Sequence, residues 1–75
     1  MGMHLTNNLG NIFFDLKKFK EAVENYEKAI KLKPDYGEAY NNLGNAQRKL
    51  RKFNEAIESY KKTIEFKPDY VETYN

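Results

Sequence analysis

The chain has 75 residues, carries 13 basic and 11 acidic side chains, and contains no cysteine. This length allows one small domain, and the lack of cysteine excludes disulfides and thiolate metal sites. No apolar run is long enough to cross a bilayer and no hydrophobic stretch of signal-peptide length opens the chain, so we expect no membrane span and a cytoplasmic location. The interleaved charges indicate a solvated surface, which argues against a nucleic-acid partner.

The first segment, residues 3–16, places its apolar side chains at helical spacing, at Leu5, Leu9, Ile12, Phe13 and Leu16. This spacing predicts an amphipathic helix that carries these residues on one face. A turn at Lys17-Lys18 leads to a second predicted helix, which ends before Pro34 because proline cannot donate a backbone hydrogen bond. The apolar positions of the second helix are Phe19, Ala22, Val23, Tyr26, Ala29 and Ile30.

The second half of the chain repeats this order. We predict that Asp35 caps a third helix. The buried side of that helix holds Ala39, Leu43, Ala46 and Leu50. A turn at Arg51-Lys52 leads to a fourth helix with its apolar residues at Phe53, Ala56, Ile57, Tyr60 and Ile64. Residues 71–75 begin a fifth helix, and the whole pattern predicts an all-α fold without strands.

An internal repeat organises the chain. Residues 7–11 and 41–45 share the sequence Asn-Asn-Leu-Gly-Asn, and the offset of 34 residues between these two segments is the repeat period. At this offset 21 of the 41 pairs that can be compared are identical. Such a period predicts units that bury their apolar faces only by stacking on neighbours.

Each unit also carries a glycine in the middle of its first predicted helix, at Gly10 and Gly44. Glycine at such a position costs about 1 kcal/mol relative to alanine. We therefore expect close helix packing there, with Ala22 and Ala56 facing the two glycines.

These residues resemble the tetratricopeptide repeat family, whose pattern of a large residue, Leu-Gly, an aromatic, Ala, an aromatic, Ala and Pro has the same period. The first unit matches at Leu9, Gly10, Phe13, Ala22, Tyr26, Ala29 and Pro34. The second matches at Tyr40, Leu43, Gly44, Ala56, Tyr60 and Pro68. Thr6, Gln47 and Thr63 depart from the pattern, standing where a large residue, an aromatic and an alanine are usual. Lys17 and Arg51 replace a frequent turn glycine, which predicts mild backbone strain.

The resemblance implies one domain over residues 1–75, an α-solenoid of antiparallel helix–turn–helix pairs wound as a right-handed superhelix. Its repeats would span 3–36 and 37–70, and 71–75 would start a third. It also implies a scaffold that binds an extended peptide or a partner helix in a concave groove lined by the first helices. We expect no enzyme activity, cofactor or metal, since there is no Ser–His–Asp set, phosphate loop or carboxylate pair.

The candidate peptide-binding residues lie on the first helix of each unit. They are Asn7, Asn8, Asn11, Phe14, Asn41, Asn42, Asn45, Arg48 and Lys49. Asparagine is a mediocre helix former whose carboxamide offers two donors and an acceptor, so a recurring row suggests backbone recognition. The row is similar to the asparagine ladder of O-linked N-acetylglucosamine transferases, matched here by Asn8 and Asn42.

Structural interpretations of the same residues stay open. Some asparagines could bridge adjacent repeats or face water. Phe14 could shield the open N-terminal end of the stack, and Arg48 and Lys49 could simply be solvated.

The alternative function is self-association. A solenoid of this kind needs about three repeats for stability. Two repeats would leave apolar surface at both open ends, which further copies could cover by stacking or by helix exchange. The partners expected are thus a protein or peptide, and copies of the chain itself.

Overall fold

A computed structural model describes residues 2–67, except for the side chain of Met3, and consists of four α-helices joined by short turns. The helices are α1 (Gly2–Asp15), α2 (Phe19–Leu32), α3 (Gly37–Lys49) and α4 (Phe53–Phe66). Residues 2–67 contain no strand, so the all-α prediction is confirmed. The predicted start of a fifth helix at 71–75 lies outside the described residues.

The four helices form two hairpin-like pairs that stack on each other. The most extensive contacts are between α1 and α2 and between α3 and α4, and the pairs join mainly through α2 and α3. Helices α1 and α3 touch only along a narrow strip. This arrangement brings the first helices side by side on one face of the molecule.

The buried core lies between α2 and α3. One cluster contains Ala22 and Tyr26 of α2 with Leu43 and Ala46 of α3. A second cluster contains Ala29, Tyr36 and Ala39. Four of these seven residues are alanines, and their small side chains allow the two helices to approach closely.

Six apolar residues of α1 and α4 are exposed, which agrees with the apolar surface expected at the ends of a two-repeat stack. Their side chains are between 51% and 61% exposed: Leu5, Ile12, Leu16, Phe53, Ile57 and Ile64. Each helix pair in a stack has two apolar faces, because it packs on a neighbour on either side. The six residues lie on faces that no other described helix covers.

Polar residues occupy buried positions in the second helix pair. The Ser59 hydroxyl donates a hydrogen bond of 2.6 Å to the Gln47 side-chain oxygen. Thr63 is fully buried, and its hydroxyl donates to the Ser59 carbonyl at 3.1 Å. Gln47 and Thr63, two of the departures from the family pattern, are thus accommodated by satisfied hydrogen bonds.

The two mid-helix glycines mark close contacts, but their partners are tyrosines and not the predicted alanines. A Cβ atom added at Gly44 would lie 2.7 Å from Cε1 of Tyr60, and one at Gly10 would collide with the ring of Tyr26. The aromatic ring of each second helix therefore rests directly on the backbone of the first. Only glycine leaves room for it.

The start of α3 differs from the predicted cap. The helix begins at Gly37 with Tyr36 at the N-cap position, and no side chain caps it. After Pro34 the chain makes a turn in which the Tyr36 amide donates to the Lys33 carbonyl at 3.0 Å. That turn delays the helix by one residue beyond the position that Asp35 could cap. The end of α2 at Leu32, before Pro34, agrees with the prediction.

Both intra-pair turns contain a residue in the left-handed region, as the missing turn glycines led us to expect. Lys17 has φ 62° and Arg51 has φ 64°. The amides of Lys17 and Lys18 donate to the carbonyls of Phe14 and Phe13, at 2.9 Å and 2.8 Å, a pattern in which glycine usually holds the left-handed position.

Replacing Gly44 with alanine should lower the free energy of unfolding by roughly 1–2 kcal/mol. An added Cβ only 2.7 Å from Tyr60 puts the overpacking cost in the upper part of its range, at about 2–3 kcal/mol, and the gain in helix propensity offsets about 1 kcal/mol of it. Urea unfolding measures the difference. Asn54→Ala, at an exposed site on α4, is the control and should not destabilise. A Gly44→Ala chain as stable as the parent would contradict the tyrosine contact.

Replacing Lys17 with glycine should raise the free energy of unfolding by about 0.5–1 kcal/mol, because a left-handed conformation costs an L-residue about 1–2 kcal/mol and the extra flexibility of unfolded glycine offsets part of the gain. The matched control is Lys18→Gly, because Lys18 has φ −95° and should lose stability when replaced. Equal effects of both substitutions in urea unfolding would refute the strain at Lys17.

Candidate functional site

A depression of about 310 Å³ lies on the face formed by α1 and α3. It is lined by Asn11, Phe14, Asp15, Tyr26, Asn42 and Asn45. Four of the nine sequence-predicted site residues are therefore brought together in one place. Two lining residues, Asp15 and Tyr26, were not among those candidates.

Two tyrosine–asparagine pairs, one in each repeat, fix the side chains of this face. The Tyr26 hydroxyl donates to Oδ1 of Asn11 at 2.6 Å, and the Tyr60 hydroxyl donates to Oδ1 of Asn45 at 2.6 Å. A neutral phenol donates to a carboxamide oxygen, so each pair orients its amide and leaves the NH₂ group on the other side. Neither NH₂ group has a hydrogen-bond partner among residues 2–67.

Asn42 and Asn7 connect the two repeats. The Asn42 side-chain amide donates to Oδ1 of Asn7 at 3.1 Å, which leaves Oδ1 of Asn42 as a free acceptor within the described part of the chain. Asn7 is only 3% exposed and also hydrogen-bonds the hydroxyl of Tyr36. Burial and the nearby Glu38 raise the pKa of Tyr36, and the bond from Asn7 opposes this rise. Asn7 thus has the bridging role that the structural interpretation allowed.

Phe14 is a packing residue with one edge on the depression. It is half-buried, contacts the first core cluster, and packs edge-to-face on Phe19 with ring centroids 5.2 Å apart. Its ring therefore cannot act as a freely exposed contact. It forms an apolar wall at the repeat-one end.

The other candidates do not line the depression. Asn8 and Lys49 are exposed, and Asn41 is half-buried. Arg48 is exposed, and its Nε donates a long hydrogen bond of 3.4 Å to the Tyr60 hydroxyl. Asn8 and Asn42, the two residues matched to the ladder, thus have different surroundings among the described residues, because Asn42 contacts Asn7 and Asn8 is exposed.

The charged residues differ between the two repeats. Asp15 lines the depression, whereas Lys49, its counterpart in repeat two, and the adjacent Arg48 are exposed outside it. Burial, reinforced by the negative charge of Asp15, raises the pKa of Tyr26 to about 12. The hydroxyl that orients Asn11 consequently stays protonated over the whole physiological range.

The sequence did contain a signal for the tyrosine–asparagine pairs. Asn11 precedes Tyr26 by the same interval as Asn45 precedes Tyr60, so both members of the pair recur together at the repeat period. A single asparagine fits a solvated helix face and a single tyrosine fits the core of a helix pair. Only the recurrence of both at the same interval indicates a contact between them.

Other kinds of site find no support in residues 2–67. This range contains no group of three His, Asp or Glu side chains that could hold a metal ion. None of its helices has both the length and the apolar character required to cross a bilayer.

The elevated pKa of Tyr26 predicts a loss of stability at alkaline pH. The unfolded chain ionises this tyrosine near pH 10, whereas the folded chain ionises it near 12, so stability is complete below 10 and falls as pH rises towards 12. Urea unfolding at a series of pH values from neutral to strongly alkaline measures the slope, which Tyr26→Phe should reduce. The control is Tyr40→Phe, whose hydroxyl has no hydrogen-bond partner among the described residues. Identical slopes in both variants would contradict the assignment.

Comparison with known proteins agrees with this architecture. A family profile described as "TPR repeat" matches residues 10–51, more than half of the chain, and one described as "Tetratricopeptide repeat" matches residues 37–70. No curated protein matches the chain. Repeats of this kind generally mediate protein–protein interaction and are typically non-catalytic. With its two stacked helix pairs and these matches, the chain belongs to the tetratricopeptide repeat family.

Proposed function

We propose that this chain is a non-catalytic module that binds an extended peptide segment of a partner protein across the α1–α3 face. The observation that carries the proposal is the pair of tyrosine-oriented amides, Asn11 and Asn45, which stand one repeat apart with unpartnered donors within the described residues.

The polar groups of this face match the pattern of a peptide backbone. The Asn11 and Asn45 amides supply donors for two carbonyl oxygens, and Oδ1 of Asn42 supplies an acceptor for a backbone N–H. Because the tyrosines already hold two of these side chains, little rotational freedom is lost when a ligand binds. Contacts of this kind favour an extended backbone of many sequences.

The charges on the face give the ligand a preferred direction. Asp15 at one end attracts a basic side chain, and Arg48 with Lys49 at the other attracts an acidic one. The fully solvated parts of these side chains contribute little affinity, but they disfavour the reversed orientation. Phe14 offers a partly apolar wall beside Asp15.

Single replacements Asn11→Ala and Asn45→Ala should each weaken peptide binding by about 2- to 10-fold, the effect of one hydrogen bond worth about 0.5–1.5 kcal/mol. Binders are first selected from a phage-displayed library of short random peptides. Their affinities for each variant are then measured by isothermal titration calorimetry. Tyr60→Phe should weaken binding as well, because it releases the Asn45 amide.

The matched control is Asn54→Ala, at an exposed site on α4 away from this face. It should leave peptide affinity unchanged. A library without binders, or binders that are insensitive to both groove substitutions, would refute peptide binding at this face.

Association between copies of the chain is a second candidate function. The specific observation in its favour is the set of six large apolar side chains that are more than half exposed on α1 and α4, the first and last of the described helices. Exposed apolar surface on a small domain commonly marks an interaction site.

A further inference from the structure

We propose that copies of the chain associate head to tail, with the outward face of α4 in one copy packing on the outward face of α1 in the next. The pairing would use the register that α2 and α3 adopt within the chain. This inference rests on the second candidate function and assigns its two surfaces. For brevity, the α4 face denotes Phe53, Ile57 and Ile64, and the α1 face denotes Leu5, Ile12 and Leu16.

The α4 face is the repeat-two counterpart of a surface that is already covered in repeat one. Ile57 and Ile64 occupy the positions in repeat two that Val23 and Ile30 occupy in repeat one. Val23 and Ile30 pack against the core clusters to which α3 contributes, whereas Ile57 and Ile64 are 51% and 52% exposed. Helix α4 therefore presents the kind of surface on which α3 docks.

The α1 face is the counterpart of the surface that α3 buries. Leu5 and Ile12 occupy the positions in repeat one that Ala39 and Ala46 occupy in repeat two, and both alanines are fully buried in the clusters shared with α2. In α1 the same positions are 61% and 54% exposed. Helix α1 therefore presents the kind of surface that docks on α2.

The two exposed faces are thus the two halves of one interface that the chain already contains between α2 and α3. By this equivalence Ile57 of one copy meets Ile12 of the next, and Ile64 meets Leu5. The start of α1 in the next copy then takes the place along α4 that the repeat period assigns to residues 71–75 of the chain itself. The side chains on α1 are larger than the alanines they correspond to, so we expect α4 and α1 to lie farther apart than α2 and α3. The pairing is heterologous and does not close on itself, so assembly is open-ended.

Other arrangements of two copies use these surfaces less completely. A symmetric contact of α4 with α4 would leave the α1 face of both copies exposed to water. The amides of Asn11 and Asn45 lie on the α1–α3 face, and the head-to-tail contact does not require them. Association and peptide binding are therefore independent properties that can be tested separately.

Complementary blocking of the two faces tests the proposal. Ile12→Lys blocks the α1 face and Ile57→Lys blocks the α4 face. Light scattering and sedimentation equilibrium are measured from micromolar to millimolar concentration. The parent chain should increase in mass without a plateau, and each variant alone should associate about 10- to 100-fold more weakly, since each loses a buried isoleucine contact. An equimolar mixture of the two variants should form a 1:1 dimer and nothing larger, because it contains one intact face of each kind.

The control is Asn54→Lys, which makes the same change of charge at an exposed site on α4 whose counterpart is Lys20. It should assemble like the parent chain. If either test variant loses helical circular dichroism, Leu16→Lys or Ile64→Lys replaces it on the same face.

The outcomes separate this inference from both proposed functions. A parent chain that stays monomeric at millimolar concentration would overturn self-association as a whole. A discrete dimer that survives Ile12→Lys, or a mixture of variants that stays monomeric, would overturn the head-to-tail arrangement alone. Peptide affinity, measured on the same samples, decides the groove function in every case.

Discussion

The contact on which the structure depends is the tyrosine ring that rests on a glycine backbone within each helix pair. Tyr26 covers Gly10 and Tyr60 covers Gly44, and this contact sets how closely the two helices approach. The same side chain continues past the glycine to the first-helix face, where its hydroxyl orients an asparagine amide. One residue per repeat thus joins the packing of the pair to the chemistry of its surface.

The two repeats share the residues that orient the amides and differ in the charged residues that follow them. The positions that recur include the tyrosine, the glycine and the asparagine, so both repeats hold their amides in the same way. The positions that differ include Asp15 and Lys49, which carry opposite charge at equivalent places in the two repeats. Both repeats therefore present the same polar residues, and the charge of the neighbouring residue distinguishes one repeat from the other.

The outward faces of α1 and α4 follow from the same repetition. Each helix pair inside a longer stack packs on a neighbouring pair at both sides. Two pairs alone therefore carry more apolar side chains than they can bury. Leu5 and Ile57 are apolar for this reason and remain exposed in the described residues. A peptide laid across the α1–α3 face would leave these faces free for another contact.

The sequence by itself determined the helices, their turns and the repeated stacking unit, because periodicity, proline and local hydrogen bonding act over short distances. The stop before Pro34 and the left-handed Lys17 could both be anticipated in this way. Only the tertiary structure decided that Ile12 is exposed, that Asn7 is buried, and that Tyr26 reaches Asn11. The physical reason is that helical spacing places a residue on a face, whereas burial and hydrogen bonding depend on which neighbour covers that face.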